Sequence, residues 1–293
     1  WEDYNKELIS KGGGIFSRSA KSIPINADIR KALDIEGNVK SLAPTELISH
    51  ILKAPVDLLW NGGIGTYVKA ESETHADVGD NGNNALRING KELRCKIIGE
   101  GGNLGFTQRG RIEFAQKGGL VSTDAIDNSA GVDCSDHEVN IKIAFSELLL
   151  SKSLAEEKRN QILESMTDEV ADLVLIDNHK QSQAITISET MGPSVLEAKA
   201  RLMRNLEDKG LLNRVIEYLP DDETLANRHA AKKGLTRPEI SVLIAYSKID
   251  CYNDLVSSNM PNDPYMQADL MAYFPKPMQE KYAPQIQEVV SVK

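Results

Sequence analysis

Three times in its first 135 residues the chain runs from a short apolar stretch toward a loop rich in glycine and asparagine. Residues 56–60 (VDLLW) lead into Asn61-Gly62-Gly63-Ile64-Gly65-Thr66. Residues 96–99 lead into the glycine-rich segment 99–105 (GEGGNLG), and residues 120–122 lead toward Asn128-Ser129-Ala130-Gly131. Continuous apolar runs of this length, bounded by turn residues, read as buried strands of a parallel sheet. Between the second and third runs, Thr107 can cap a helix reaching about Lys117, with Ile112, Phe114 and Ala115 on its apolar side and Gly118-Gly119 as its stop. That is a βαβ unit, and the repeated pattern predicts an α/β layered domain. Ligands of such sheets bind beyond the carboxyl ends of the strands, where glycine lets backbone approach them closely, so the three loops are the place to look for a site. Asn89-Gly90, between residues 85–88 and 93–98, reads as a hairpin turn.

After Asp136 the period changes to that of helices. Leu163, Met166, Val170 and Leu173 recur three or four residues apart, as do Ile240, Leu243 and Ser247. Thr236-Arg237-Pro238-Glu239 is a capping-box start with proline in the first turn. Met191-Gly192-Pro193 should break the helical stretch 154–209, and Pro261, Pro264, Pro275 and Pro277 punctuate the tail. Composition changes at the same place. Eighteen of the 21 glycines lie at or before Gly131 and eight of the 11 prolines lie after it, which sets a domain boundary near residue 135.

With 293 residues, 41% of them hydrophobic and 26% charged, the chain can form about two domains of ordinary globular composition. A net charge of −9 argues against a nucleic-acid-binding surface, which needs concentrated Lys and Arg. Cys95, Cys134 and Cys251 are odd in number and widely spaced, which fits reduced thiols in a cytoplasmic protein better than a disulfide framework. No run of about 18 apolar residues suggests a membrane span, and no secretion signal opens the chain.

Five motifs together carry a family resemblance: residues 1–25 (WEDYNKELISKGGGIFSRSAKSIPI), DLLWNGGIGTYVKA, ETHADVGD, GEGGN and DAIDNSAGVDCSDHEVN. The chain resembles, over essentially its whole length, the large bacterial NAD-specific glutamate dehydrogenases. GEGGN and DNSAGV also correspond to the EGAN and NAGGV loops of the shorter glutamate dehydrogenases. The resemblance implies a partial Rossmann-like parallel sheet in residues 1–135, the later part of a dinucleotide-binding domain, followed by an all-α C-terminal region in residues 136–293. It implies NAD as cofactor, L-glutamate and 2-oxoglutarate as substrate and product, oxidative deamination releasing ammonium, and a homo-oligomer in the full-length enzyme.

A strand leading into G-x-G-x-x-G is missing, Gly99, Gly101 and Gly105 being off by one in spacing. By resemblance that fingerprint and the catalytic lysine and aspartate belong to upstream segments. The chain therefore reads as a C-terminal piece without turnover of its own, an expectation that its start at Trp1 and the open edge left on residues 56–60 both suit. No catalytic residue and no metal site are assigned to it. On the same resemblance Asn103 falls on the cofactor side, Asn128 on the position that holds the nicotinamide amide, and Val132 and Ser135 on positions that contact the amino-acid substrate. Asn61, Gly62 and Gly63 are assigned to backbone contact with the nicotinamide ribose from their position after a strand, with a plain turn as the alternative. Ser135-Asp136-His137-Glu138 is itself a capping-box pattern, so Ser135 is expected to open the helix 136–150 and to present its hydroxyl beside an anion-binding helix terminus. Asp133, so close to an anionic substrate, would repel it unless it points away.

Several other residues attract attention by type alone. His75, Asp77 and Asp80, or Cys134, Asp136, His137 and Glu138, are metal-ligating types without a ligand spacing, and a loop and a helix start explain them better. Arg109 and Arg111 read as solvent-exposed charges. Two alternatives from other classes stand beside the dehydrogenase: a non-catalytic helical assembly module, and a dehydrogenase for another amino acid.

Overall fold

The computed structural model describes residues 4–289, so residues 1–3, at the head of the first family-like segment, and 290–293 lie outside the described residues. The chain divides into two units. One comprises Trp1–Asp127, Gly192–Leu196 and Arg214–Val242, the other Asn128–Met191, Glu197–Asn213 and Leu243–Lys293.

The first unit opens with an antiparallel pair, β1 (Ile23–Pro24) and β2 (Ser41–Leu42), around helix α1 (Ala27–Leu33). The Asn26 side chain caps α1, and Pro44 occupies the first turn of α2 (Pro44–Leu52). Ile23, Ile25, Ile35 and Leu47 close a small core between them. There follow β3 (Leu58–Asn61), β4 (Val68–Lys69), α3 (His75–Val78), β5 (Ile88–Asn89), β6 (Ile97–Glu100), α4 (Gln108–Gln116) and α5 (Asp124–Asp127). β3 pairs in parallel with β6, with Leu58 opposite Ile97 and Asn61 opposite Glu100, and β4 pairs in parallel with β5. Residues 120–122 contribute one parallel bridge, Leu120 to Ile97, rather than a full strand. The α/β class holds in this reduced form, with short parallel pairs and a predominance of helix.

Period-two alternation separates the two faces of the β3–β6 pair. Leu59 and Ile98 face a core built with Val68, Ile88, Leu93, Cys95, Phe106, Phe114 and Val121, whereas Leu58, Trp60, Ile97 and Leu120 are exposed. Asn89-Gly90 is not a hairpin turn. Asn89 sits opposite Lys69 in a parallel pair, which no two-residue turn can join, and the single turn Gly90–Glu92 follows, closed by the Glu92 carboxylate accepting the Asn89 amide at 2.8 Å. Gly90 serves close packing instead, since a Cβ there would lie 2.5 Å from the Gly110 carbonyl oxygen of α4.

From residue 129 onward every helix or strand among the described residues is helical: α6 (Ser129–Leu150), α7 (Glu156–Ser165), α8 (Thr167–Met191), α9 (Leu196–Asp208), α10 (Asp222–Ala230), α11 (Arg237–Ser257), α12 (Gln267–Tyr273), α13 (Lys276–Lys281) and α14 (Ala283–Val289). The break at 191–193 is real: α8 ends at Met191 and Gly192 takes a left-handed conformation. The expected start of α11 is formed in half of its capping box, the Glu239 carboxylate accepting both the amide and the hydroxyl of Thr236 at 2.7 Å. In the second unit Ile141, Ala144 and Phe145 of α6 pack with Met166, Phe274, Met278 and Ile286, and Tyr282 meets Phe145 edge-on at 4.9 Å. None of the described helices is long and apolar enough to cross a membrane.

Candidate functional site

The loops after β3 and β6 lie side by side at the carboxyl ends of the paired strands. The Gly102 amide donates to the Asn61 carbonyl at 3.0 Å, and a Cβ on Gly102 would fall 2.4 Å from the Gly63 carbonyl oxygen. The Trp60 ring, 60% exposed, covers Gly99 and Gly101, where any Cβ would come within 2.6 Å of it. Glycine is therefore required in the 99–105 loop for close packing against its neighbour. Gly63 differs, because nothing lies within 4 Å of a Cβ built there. Asn61 ends β3 half-buried, with its Nδ2 buried and without a hydrogen-bond partner, while Asn103 is exposed at the tip of the other loop. Open backbone at Gly63 and an exposed asparagine suit a flat, hydrogen-bonding ligand, so these loops fit a nicotinamide dinucleotide.

Behind the loops sits an ionic cluster of which the helical period could have placed only Arg111. Arg111 of α4, expected in solvent, is buried and holds the fully buried Glu100 carboxylate through two bonds, Nε to Oε2 at 2.7 Å and Nη2 to Oε1 at 2.9 Å. The helical period turns it inward, since Arg111 lies three residues before Phe114 and shares its core-facing side. Asp124 approaches Arg111 at 3.3 Å and also accepts the Leu104 amide at 2.7 Å, and Asp127 accepts the Glu100 amide at 3.0 Å. Thr66 completes the clamp by donating its hydroxyl to the Leu104 carbonyl at 2.7 Å. Burial, with Asp124 and Asp127 nearby, pushes the Glu100 carboxyl above the usual carboxylate range despite its pairing with Arg111. Asp127 is raised for the same first reason, burial. For Arg111, pairing with Glu100 and proximity to the two aspartates outweigh burial and hold the guanidinium firmly charged. The partners are 11 or more residues apart in sequence, so no local pattern announces them.

In the second unit the substrate-side candidates fall on one helix. Ser135 is not a cap: α6 begins at Ser129, six residues earlier, with Asn128 as its N-cap residue, so the capping-box pattern at 135–138 lies inside a continuous helix. The small residues Ser129, Ala130 and Gly131 extend the helix backward instead of remaining a loop. Asn128 is half-buried, and Val132 (73% exposed) and Ser135 lie three residues apart on one outward face. Asp133 turns away from that face toward His137, its Oδ1 lying 3.9 Å from Nε2. Burial and the nearby Asp177 and Asp136 raise its carboxyl, while His137 pulls the other way. His137 itself is 2% exposed, stacks on Tyr273 at 4.4 Å between ring centres, and leaves both ring nitrogens without hydrogen bonds.

The metal-type residues have structural work. Asp77 completes a capping box with Thr74, and Asp80 accepts from the Thr66 amide and the Asn83 side chain at 2.8 and 2.7 Å. His75 Nδ1 meets the buried Arg87 at 3.0 Å. Cys134 and Cys251 are exposed free thiols, and burial raises the Cys95 thiol.

The family described as bacterial NAD-glutamate dehydrogenase, catalytic domain, matches residues 1–188, and the family described as glutamate dehydrogenase, C-terminal, matches residues 232–288. The chain is 54% identical over 282 residues to the NAD-specific glutamate dehydrogenase of Pseudomonas aeruginosa, covering 96% of this chain and 17% of that protein. Proteins of the same description from Halomonas elongata and Mycobacterium tuberculosis are 50% and 47% identical over 98% of this chain, which spans 18% of each.

Proposed function

The chain belongs to the bacterial NAD-glutamate dehydrogenase family, and we propose that it contributes the cofactor-side loops and a helical C-terminal region to an enzyme that oxidatively deaminates L-glutamate to 2-oxoglutarate and ammonium. NAD supplies the hydride acceptor in that reaction. Residues 1–135 are the later part of a Rossmann-like dinucleotide-binding domain and residues 136–293 the helical remainder, in a cytoplasmic homo-oligomer. Within the first unit Asn61, Gly62, Gly63 and Asn103 are the candidate cofactor contacts; within the second, Asn128 is the candidate contact of the nicotinamide amide. Val132 and Ser135, one turn further along, would meet the substrate. The inward turn of Asp133 removes the charge that would otherwise repel a dicarboxylate. These residues position reactants, a role in which small displacements cost rate.

The observation that carries this reading is the loop pair at the carboxyl ends of β3 and β6, pinned by Arg111 and Glu100 and left open at Gly63. Its test is a chimera in which this chain replaces the matching segment of the Pseudomonas aeruginosa relative. The chimera should form NADH in response to glutamate, and Gly63→Val in it should raise the KM for NAD by about tenfold or more while leaving the protein folded. A folded chimera without glutamate-dependent turnover, or an unchanged KM for NAD, would overturn the reading.

A further inference from the structure

A cavity of about 440 Å³ opens on the outer side of α4, within the first unit and away from the loops already described. Its apolar wall includes Ile112, Val215, Tyr218 and Leu219, and its charged groups are Arg109, Arg214, Arg228, Glu113 and Glu239. Two of the three arginines are committed: Arg228 grips Glu239 through two bonds of 2.7 and 2.8 Å, and Arg214 reaches Asp222 at 2.8 Å. Arg109 is different. Its guanidinium lies 4.5 Å over the centre of the Tyr218 ring, and it makes no ion pair among the described residues, Asp77 interacting with it only at longer range. A guanidinium stacked by its face keeps its N–H edge for a planar anion.

Tyr218 supplies an independent observation. Its φ of 54° is left-handed, in a turn where the Leu219 amide donates to the Arg214 carbonyl at 2.9 Å. That conformation favours glycine and penalises an aromatic residue, so the backbone gives no reason for tyrosine there. Its ring stands beneath Arg109 and beside Val215, which is 82% exposed. Strain at a position that builds a cavity wall points to a role for the ring itself.

We propose that this cavity binds a small organic monocarboxylate with an apolar body, its carboxylate on the N–H edge of Arg109 and its hydrocarbon part against Tyr218, Val215 and Ile112. The volume suits a molecule of small-ligand size. Glu113 in the lining disfavours ligands carrying several negative charges, and Arg109, which makes no ion pair among the described residues, disfavours neutral ones. Glu113 is not available to neutralise Arg109, because it accepts the amides of Glu71 and Lys91 at 3.0 and 2.8 Å.

The test is calorimetric titration of the chain with benzoate and isovalerate, with benzamide as the neutral control. Saturable binding of at least one acid is expected, about tenfold or more tighter than benzamide, the difference a charge-assisted pair supplies. Arg109→Gln should lose that margin. Tyr218→Gly should weaken acid binding by a similar factor while its melting temperature stays at or above that of the parent, since glycine relieves the left-handed strain. Absence of saturable binding, equal binding of benzamide, or unchanged affinity in both variants would overturn the proposal.

Discussion

The two units solve the problem of holding a shape by different means. In the first, strands of two to four residues offer little backbone pairing, and polar contacts do much of the holding: Arg111 on Glu100 behind the glycine loops, Arg228 on Glu239 between α10 and α11, and Glu73 accepting the Ala70 amide and the Thr107 hydroxyl at 2.7 and 2.5 Å. In the second, Phe145, Met166, Phe274, Met278 and Ile286 fill the interior, and among the described residues of that unit the deeply buried polar side chain is His137, whose ring nitrogens make no hydrogen bond. Loops rich in glycine bring few side chains to a core, so a region that must keep them in place relies on directional polar contacts. Helices with an apolar stripe need only fill volume.

The sharpest way to break this contrast is Arg111→Met. It strands the Glu100 carboxylate in the interior and should cost about 3–5 kcal/mol in denaturant unfolding, whereas adding Glu100→Leu should recover most of the loss. Failure of the double variant to recover would mean that Arg111 acts chiefly by packing. A smaller effect is expected from Asp127→Asn, which keeps an acceptor for the Glu100 amide. Glu100 and Asp127 have raised carboxyls, so the folded state holds protons that the unfolded chain has released, and this contribution is complete at pH below about 4 and lost as pH rises through the raised values. Asp127→Asn should therefore exceed the parent in unfolding free energy at pH 7 and converge with it in acid. Parallel pH profiles would remove the burial argument. The smallest change belongs to the second unit: His137→Phe keeps the stack on Tyr273, deletes two unsatisfied nitrogens and should stay within about 1 kcal/mol of the parent. A loss as large as that of Arg111→Met would show that His137 is held by a bond to water, and the contrast between the units would fall.

Much of the helical half was legible from residue order. The Thr236–Glu239 start and the break at Gly192 are local patterns that the structure repeats, because a helix is decided by neighbours three and four residues away. The stripe through Leu163, Met166 and Val170 reads as one helix, yet α7 ends at Ser165 and α8 starts at Thr167, so these residues reach the same core from either side of a turn at Met166. The strand-then-glycine pattern likewise located the loops of residues 61–65 and 99–105. Local pattern misled where two local solutions competed: Asn89-Gly90 suits a hairpin and Ser135-x-x-Glu138 a cap, yet parallel pairing with β4 and a helix already begun at Ser129 took both segments. What the tertiary structure alone decided is which charges meet. Arg109 and Arg111 are two residues apart on one short helix, and the fold sends one to a tyrosine ring in an open cavity and the other to a buried glutamate. Helical geometry sets the angle between them, but their partners, 109 and 11 residues away in the chain, are selected only when distant segments pack.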